Sequence, residues 1–231
     1  MSGSLTALPL LEAAEIRAQH LAVCTELSLP EEEVCRAMGA VDQHLSTFSE
    51  LCNAMSILGE CSPRGTDSIS SLGERMSVGL LAAAIRHTGV PAEVVDAKDV
   101  IVTDENFSDA HPDMALSKAK ASLNLEPLIK AGTVPVVTGF LGATAEGATT
   151  TLGRGGSDYS ATIVGALLSA KAVWIWTDVN GIMTADPRIA PDAITIPRLS
   201  LREVAEMSYF GAKVVHAKTI RPCVEQGIPQ P

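Results

Sequence analysis

The chain has 231 residues, 46% of them hydrophobic and 19% charged, and its formal net charge at pH 7 is -10. This length and composition are typical of a globular protein with one large domain or two small ones, able to bury a core without disulfides or structural metal. The negative charge argues against nucleic acid or an anionic membrane as a partner, although it is compatible with a locally basic site for an anionic metabolite.

The cysteines and the apolar segments exclude several further classes. The five cysteines are widely spaced and contain no C-x-x-C, which favours reduced thiols over a disulfide framework or a zinc site. The start "MSGSLTALPLLEAAEIR" lacks the basic segment of a secretory signal. No apolar run reaches the ~18 residues that a membrane span needs. We therefore expect a cytoplasmic protein without a membrane partner.

The first third of the chain is predicted to be helical. Apolar residues recur in steps of three and four from Val34 to Leu58, which places them on one helix face. Pro30, followed by three glutamates, predicts the start of this helix, because proline fits a first turn and acidic groups favour the positive end of the helix dipole. The segment "SPRGTDS" predicts a break, and a further helix is expected from Asp67 towards His87.

After residue 90 the pattern changes to short strands alternating with helices. The predicted strands are "AEVVDA", "VIVTD", "VPVVTGF" and "AVWIWTD", with Trp174 and Trp176 expected in the core. The predicted helices are "MALSKAKASLNLEPLIKAG", Ser157 to Ala170, a segment behind a capping box of Ser200 and Glu203, and Lys213 to Gln226. This alternation predicts βαβ units and a mostly parallel sheet, with ligands beyond the carboxyl ends of its strands.

The stretch "TTTLGRGGSD" is the first candidate for a ligand site. Its glycines permit unusual backbone conformations and the close approach of a ligand. Ser157 or Asp158 is expected to cap the following helix, whose free N–H groups favour an anion. Arg154 offers a planar fork for a carboxylate or phosphate. A flexible loop with an ordinary helix cap is the alternative, and the residues alone leave both open.

Three other stretches carry weaker evidence. In "WTDVNGIMTADPR", the hydroxyl and carboxylate of Thr177 and Asp178 follow a predicted strand, although two simple turns explain the composition equally well. Glu74 is the partner for a substrate ammonium group or part of a solvated helix stripe. Lys213 is a surface lysine or, because it opens a helix where the dipole disfavours it, the partner of a phosphate. No hydrolase motif, metal-ligand spacing or Walker A loop is present.

Five motifs, in this order and spacing, resemble the catalytic domain of aspartokinases, over roughly Leu45 to Pro229. They are "SLGERMS", "VVTGFLGAT", "TTTLGRGGSDYSA", "WTDVNGIMTADPR" and "EMSYFGAKVVHAKT". The resemblance implies a single domain over residues 1–231, with the three-layer αβα sandwich and mostly parallel central sheet of amino-acid kinases. It implies transfer of the ATP γ-phosphoryl group to the β-carboxylate of L-aspartate, with Mg²⁺.

The resemblance also implies roles for particular residues. Arg154 is expected to clamp an aspartate carboxylate, helped by the backbone of Gly155, Gly156 and Ser157. Glu74 is expected to face the ammonium group of aspartate, and Asp158 to act in catalysis by organising lysines. No direct metal ligand is assigned. The expected ATP-site residues are Thr177, Asp178, Met183, Arg188, Lys213 and Val214.

The chain departs from the family pattern in several places. Met183 and Ala217 stand where an aromatic residue and a proline are usual. The "KFGGTS"-type strand and loop, whose lysine holds the transferring phosphates, and the C-terminal regulatory ACT domains have no counterpart here. This pattern predicts part of an aspartokinase, with a rate loss of about 10²–10³ for one missing preorganised charge. A non-catalytic binding fragment and a kinase for another carboxylate are the alternatives, and the oligomeric state is left open.

Overall fold

The computed structural model describes residues 8–176, 181–185, 189–200, 203–204, 206–207 and 217–230. The chain divides into two units, Met1–Gly153 and Arg154–Pro231. The helices of the first unit are α1 (Leu8–Glu26), α2 (Glu31–Leu58), α3 (Pro63–His87), α4 (Met114–Asn124) and α5 (Glu126–Lys130). Its strands are β1 (Ala92–Val95), β2 (Val102–Thr103), β3 (Val134–Val137), β4 (Leu141–Thr144) and β5 (Thr149–Thr151). In the second unit, helices α6 (Gly156–Leu167) and α7 (Ala217–Gln226) are described.

The helical character of the first third is confirmed, and its apolar faces form a shared core. The predicted face of α2 is buried at Met38, Val41 and Leu45, which pack in one cluster with Leu72 and Met76 of α3. Each such fully buried side chain contributes about 1.5–3 kcal/mol. Three glutamates occupy the first turn of α2, and its carboxyl end is closed by a glycine in the left-handed region.

An ion pair ties α2 to α3 and to the first strand. The Arg86 guanidinium donates to the Glu33 carboxylate at 2.6 Å and to the Ala92 carbonyl at 2.9 Å. Both side chains of the pair are mostly buried, and the hydrogen bonds from Arg86 hold the pKa of Glu33 below its usual value. The helical layer and the strand that follows it are therefore fixed to each other.

The beginning of α3 corrects one prediction. The segment "SPRGTDS" was expected to break the chain, but α3 begins inside it, at Pro63. The Ser62 hydroxyl accepts a hydrogen bond from the Gly65 N–H at 3.2 Å, and the proline lies in the first turn. Serine followed by proline is a helix start, since the serine caps a free N–H and the proline needs none. Asp67 therefore lies within α3.

The strands form two sheets with parallel pairs. Strand β1 pairs with β3 in parallel, with Ala92 opposite Val134, and β2 pairs in parallel with β4. Strands β4 and β5 form an antiparallel hairpin that the sequence analysis did not predict. The helix predicted from Met114 onwards is divided into α4 and α5 at the buried Leu125. Proline in the first turn of α5 lacks the N–H that an unbroken helix would use.

The described part of the second unit is held together around α6. The Thr162 hydroxyl donates to the Thr219 carbonyl of α7, and the Val173 N–H donates to the Pro229 carbonyl at 3.0 Å. Helix α6 lies close to its predicted position. The final helix is described from Ala217, and its predicted first residues, 213–216, lie outside the described residues.

The prediction of a buried strand at "AVWIWTD" was wrong for its described residues. No strand is formed over 172–176, and Trp174 and Trp176 are 62% and 90% exposed. Their rings stack on each other with centroids 6.4 Å apart. Alternating large residues are buried only where another layer faces them, and no described strand pairs with this segment.

Two smaller predictions concern helix ends and membrane spans. The capping box is confirmed, because the Glu203 carboxylate accepts from the Ser200 N–H at 2.7 Å while the Ser200 hydroxyl accepts from the Glu203 N–H at 3.2 Å. The Ser200 hydroxyl also donates to the Glu203 carboxylate, at 2.7 Å, and this bond, together with the one from the Ser200 N–H, holds the pKa of Glu203 below its usual value. Within the described ranges, no helix is long and apolar enough to span a membrane.

Candidate functional site

The candidate substrate site is the clamp segment, Arg154–Asp158, where the chain passes from β5 into α6. Gly153 and Gly155 have φ values of 75° and 70°, in the left-handed region that glycine enters without strain. Gly155 is the N-cap of α6, and no side chain caps the helix. The predicted cap by Ser157 or Asp158 was wrong, because the helix begins earlier, at Gly156, and both residues lie in its first turn.

This geometry suits an anionic group. The first N–H groups of an α-helix have no partner within the helix, and a glycine N-cap has no side chain to compete with a ligand for them. Arg154 is exposed immediately before the turn. Its guanidinium and the backbone N–H groups of the helix start are donors that form strong hydrogen bonds with carboxylates and phosphates. The structure thus brings Arg154, Gly155, Gly156 and Ser157 together in one turn, while their contacts with substrate stay predictions.

Asp158 lies in the same first turn and is partly buried. Burial raises the pKa of its carboxyl group above the usual value. The positive end of the helix favours the carboxylate, but loss of water is the cause that prevails. A nearby cation would stabilise the ionised form of such a partly buried carboxylate. The predicted role of Asp158 in organising lysines would place a cation there.

Glu74 and its neighbour Arg75 lie on α3, in the first unit. The Arg75 guanidinium donates to Asp96 at 2.7 Å, to the Ser71 hydroxyl at 2.5 Å and to the Thr149 hydroxyl at 3.3 Å. Arg75 therefore links α3 to the end of β1 and to the beginning of β5. Glu74 is partly buried on the same helix, and its role towards a substrate ammonium group stays a prediction.

Most residues of the predicted nucleotide site lie outside the part of the chain that the structure describes. Thr177, Asp178, Arg188, Lys213 and Val214 lie outside the described residues. Met183 is partly buried and forms an isolated antiparallel bridge with Thr195. In the described part of the chain, no group of three or more His, Cys, Asp or Glu side chains is arranged to hold a metal ion.

One buried residue of the first unit was missed by the sequence analysis. Asp67 on α3 is 1% exposed and accepts hydrogen bonds from Ser108 and Thr151. It was predicted only as the first residue of a helix and was assigned no other role. An acidic residue on the buried, largely apolar face of a helix was the available indication, because such a group is buried only when donors satisfy it.

Comparison with known proteins places the chain in a family. Residues 2–230 match the amino acid kinase family. The aspartokinase of Chlamydia muridarum is 36% identical over 216 residues, which are 94% of this chain and 46% of that protein. Lysine-sensitive aspartokinase 3 of Escherichia coli is 41% identical over 189 residues, 82% of this chain and 41% of that protein. The chain thus spans less than half the length of these two relatives.

A solved structure extends the likeness to the fold. The crystal structure of E. coli aspartokinase III in complex with aspartate and ADP matches with a TM-score of 0.80 and 36% identity, over 98% of this chain and 52% of that one. The predicted α/β fold class and the predicted resemblance are both confirmed. The chain belongs to the amino acid kinase family, and the members that it resembles are the aspartokinases.

Proposed function

We propose that the chain is part of an aspartate kinase, which transfers the γ-phosphoryl group of ATP to the β-carboxylate of L-aspartate. The observation that supports this most strongly is the match of 98% of the chain to an aspartokinase structure that holds aspartate and ADP. The clamp segment adds support from the chain's own geometry, since it offers an arginine and a glycine-capped helix start to an anionic substrate.

The proposed reaction is one displacement at phosphorus. A β-carboxylate oxygen of L-aspartate forms a bond to the γ-phosphorus as the bond from that phosphorus to the β,γ-bridging oxygen breaks. The products are 4-phospho-L-aspartate and ADP, and no proton has to be removed from a carboxylate. The protein therefore contributes positioning and neutralisation of charge rather than covalent chemistry. Mg²⁺ enters as part of the MgATP substrate, a form that requires only one or two protein carboxylates.

On this proposal the clamp segment holds L-aspartate. Arg154 binds a carboxylate of the substrate through two parallel hydrogen bonds, and the backbone N–H groups of Gly155, Gly156 and Ser157 complete the anion site. Glu74 faces the substrate ammonium group. These contacts would orient the β-carboxylate towards the nucleotide.

The remaining predicted residues serve the nucleotide and the transferring group. Asp158 orients lysine side chains. Their positive charge offsets the cost of burying the Asp158 carboxylate. The proposed ATP-site residues are Thr177, Asp178, Met183, Arg188, Lys213 and Val214. We further propose that residues 1–231 act as one catalytic domain whose partners are small molecules.

The direct test is ADP formation from MgATP with and without L-aspartate. We expect ADP release to depend on L-aspartate, and we expect Arg154→Lys to lower kcat/KM for L-aspartate by about 10–100-fold, because lysine keeps the charge but loses the bidentate fork. Arg64→Lys, at an exposed arginine in the first turn of α3, is the matched control. ADP release that does not respond to L-aspartate would contradict the proposed substrate, as would equal effects of the two variants.

A further inference from the structure

The carboxylate of Asp67 is the centre of a buried junction in the first unit. Its Oδ2 atom accepts the backbone N–H groups of Ser108 and Thr151, both at 2.9 Å. Its Oδ1 atom accepts the hydroxyls of the same two residues, at 3.2 Å and 2.8 Å. The two oxygens thus accept from four donors, arranged in two matched pairs of one N–H and one hydroxyl. Asp67 therefore connects α3, the loop at residue 108 and the end of β5.

The same junction fixes the chain up to the residue before the clamp segment. The Thr151 carbonyl accepts from the Ala110 N–H at 2.9 Å, and the Leu152 N–H donates to the Phe140 carbonyl at 2.9 Å. Gly153 then packs so closely that a Cβ atom there would lie 2.5 Å from Asp109 Oδ1. The three residues from Thr151 to Gly153 are thus each in contact with another part of the first unit. Arg154 is the next residue in the chain.

Two of the holding residues have unusual backbone conformations. Ser108 and Phe140 have φ values of 71° and 67°, a region that residues other than glycine adopt rarely. Ser108 donates to Asp67 and also lies against Gly153, and Phe140 accepts from Leu152. Such conformations persist where the surroundings enforce them, and they are concentrated at ligand sites.

We propose that Asp67 is a positioning residue for the substrate clamp. It fixes the exit from β5 through Thr151, which stands three residues before Arg154, the first residue of the clamp segment. The benefit is preorganisation: a guanidinium that is already aimed at its carboxylate loses little freedom on binding, whereas a displacement of about 1 Å is costly. This inference rests on the proposed function of the clamp segment.

The test variants separate this role from simple stabilisation. Asp67→Asn exchanges one acceptor oxygen for an amide, and Thr151→Val removes only the hydroxyl that donates to Asp67. Thr150→Val is the matched control, because Thr150 is the adjacent residue, is equally buried, and also loses one hydroxyl hydrogen bond, the 2.7 Å contact with Thr103. Both valine variants should lower Tm to a similar degree. If Asp67→Asn does not fold, Thr151→Val still carries the test.

Amide hydrogen exchange without ligand tests the structural half of the inference. In Asp67→Asn and Thr151→Val, we expect exchange in peptides covering residues 149–155 to be at least about tenfold faster than in the parent chain, because the exit from β5 loses its anchor. In Thr150→Val the amides of 152–155 should exchange at the parent rate. Parent-like exchange of this segment in Asp67→Asn would overturn the inference, whether or not the chain binds aspartate.

Titration with L-aspartate and, separately, with MgADP tests the ligand half. We expect Asp67→Asn to raise the Kd for L-aspartate by about tenfold or more, Thr151→Val to raise it several-fold, and Thr150→Val to leave it within about twofold. The Kd for MgADP should change by less than about twofold in all three. An equal loss of aspartate affinity in Thr150→Val and Thr151→Val would overturn the positioning role. Absence of aspartate binding in the parent chain would instead overturn the proposed function. It would also overturn the effect of Asp67 on aspartate affinity, but not its effect on hydrogen exchange.

Discussion

At the scale of single residues, Asp158 shows a conflict between stability and the proposed function. Burial raises the pKa of its carboxyl group, so the folded chain binds the proton more tightly than the unfolded chain does. The stability that comes from the protonated form is therefore present at low pH and is lost as the pH rises through these pKa values. At neutral pH an ionised Asp158 costs stability, as expected where a buried charge is kept for chemistry.

Asp158→Asn should consequently raise Tm at about pH 7 and give a smaller gain at about pH 4, where the parent carboxyl is protonated to a greater extent. Asparagine keeps the shape and removes the charge. Differential scanning calorimetry across this pH range measures the effect, and Asp192→Asn, at an exposed aspartate of the same unit, is the control. A lower Tm for Asp158→Asn at neutral pH would show that the carboxylate stabilises the fold.

The two central residues of the account differ in how far the sequence could predict them. Arg154 stands inside a glycine-rich stretch, so its local context predicts an anion site. Asp67 depends on donors that lie 41 and 84 residues away in the chain. Its function is created by tertiary packing, and the local sequence indicates only that an acidic residue lies on the buried face of a helix. Residues that act through distant partners are the ones that sequence inspection misses.

At the scale of elements, the predictions succeeded where a local rule dominates. The helices of the first third and the Ser200 capping box follow from periodicity and from capping chemistry. The β4–β5 hairpin was missed because its strands are short and because the glycine-rich stretch was interpreted only as a loop. The exposed tryptophans were wrongly placed because alternation does not tell whether another layer covers a strand.

Helix packing offers a prediction with a matched pair of glycines. A Cβ atom on Gly165 of α6 would overlap Val173, whereas one on Gly79 of α3 would meet nothing within 4 Å. Gly79→Ala should raise stability by about 0.5–1 kcal/mol through reduced backbone freedom. Gly165→Ala gains the same term but should be destabilised overall, because overpacking costs about 1–3 kcal/mol. Thermal unfolding measures both, and a rise in Tm for Gly165→Ala would show that Val173 can move aside.

At the scale of the whole molecule, the fold class was predictable because alternating strand and helix patterns admit few architectures. The parallel pairs β1–β3 and β2–β4 agree with it, and the family match covers residues 2–230. The candidate site was predictable in part. The glycines and Arg154 of the clamp segment indicate an anion site from the sequence alone, whereas the hydrogen bonds between Asp67 and Thr151 are seen only in the structure. The predicted cytoplasmic location and most of the nucleotide site stay predictions.

Binding of L-aspartate by the clamp segment is tested most directly by a calorimetric titration of this chain. We expect saturable binding of one L-aspartate per chain, weakened about 10–100-fold in Arg154→Ala, the cost of losing hydrogen bonds between charged groups. Arg64→Ala should bind as the parent chain does. Absence of saturable binding in the parent chain, or undiminished affinity in Arg154→Ala, would contradict the account.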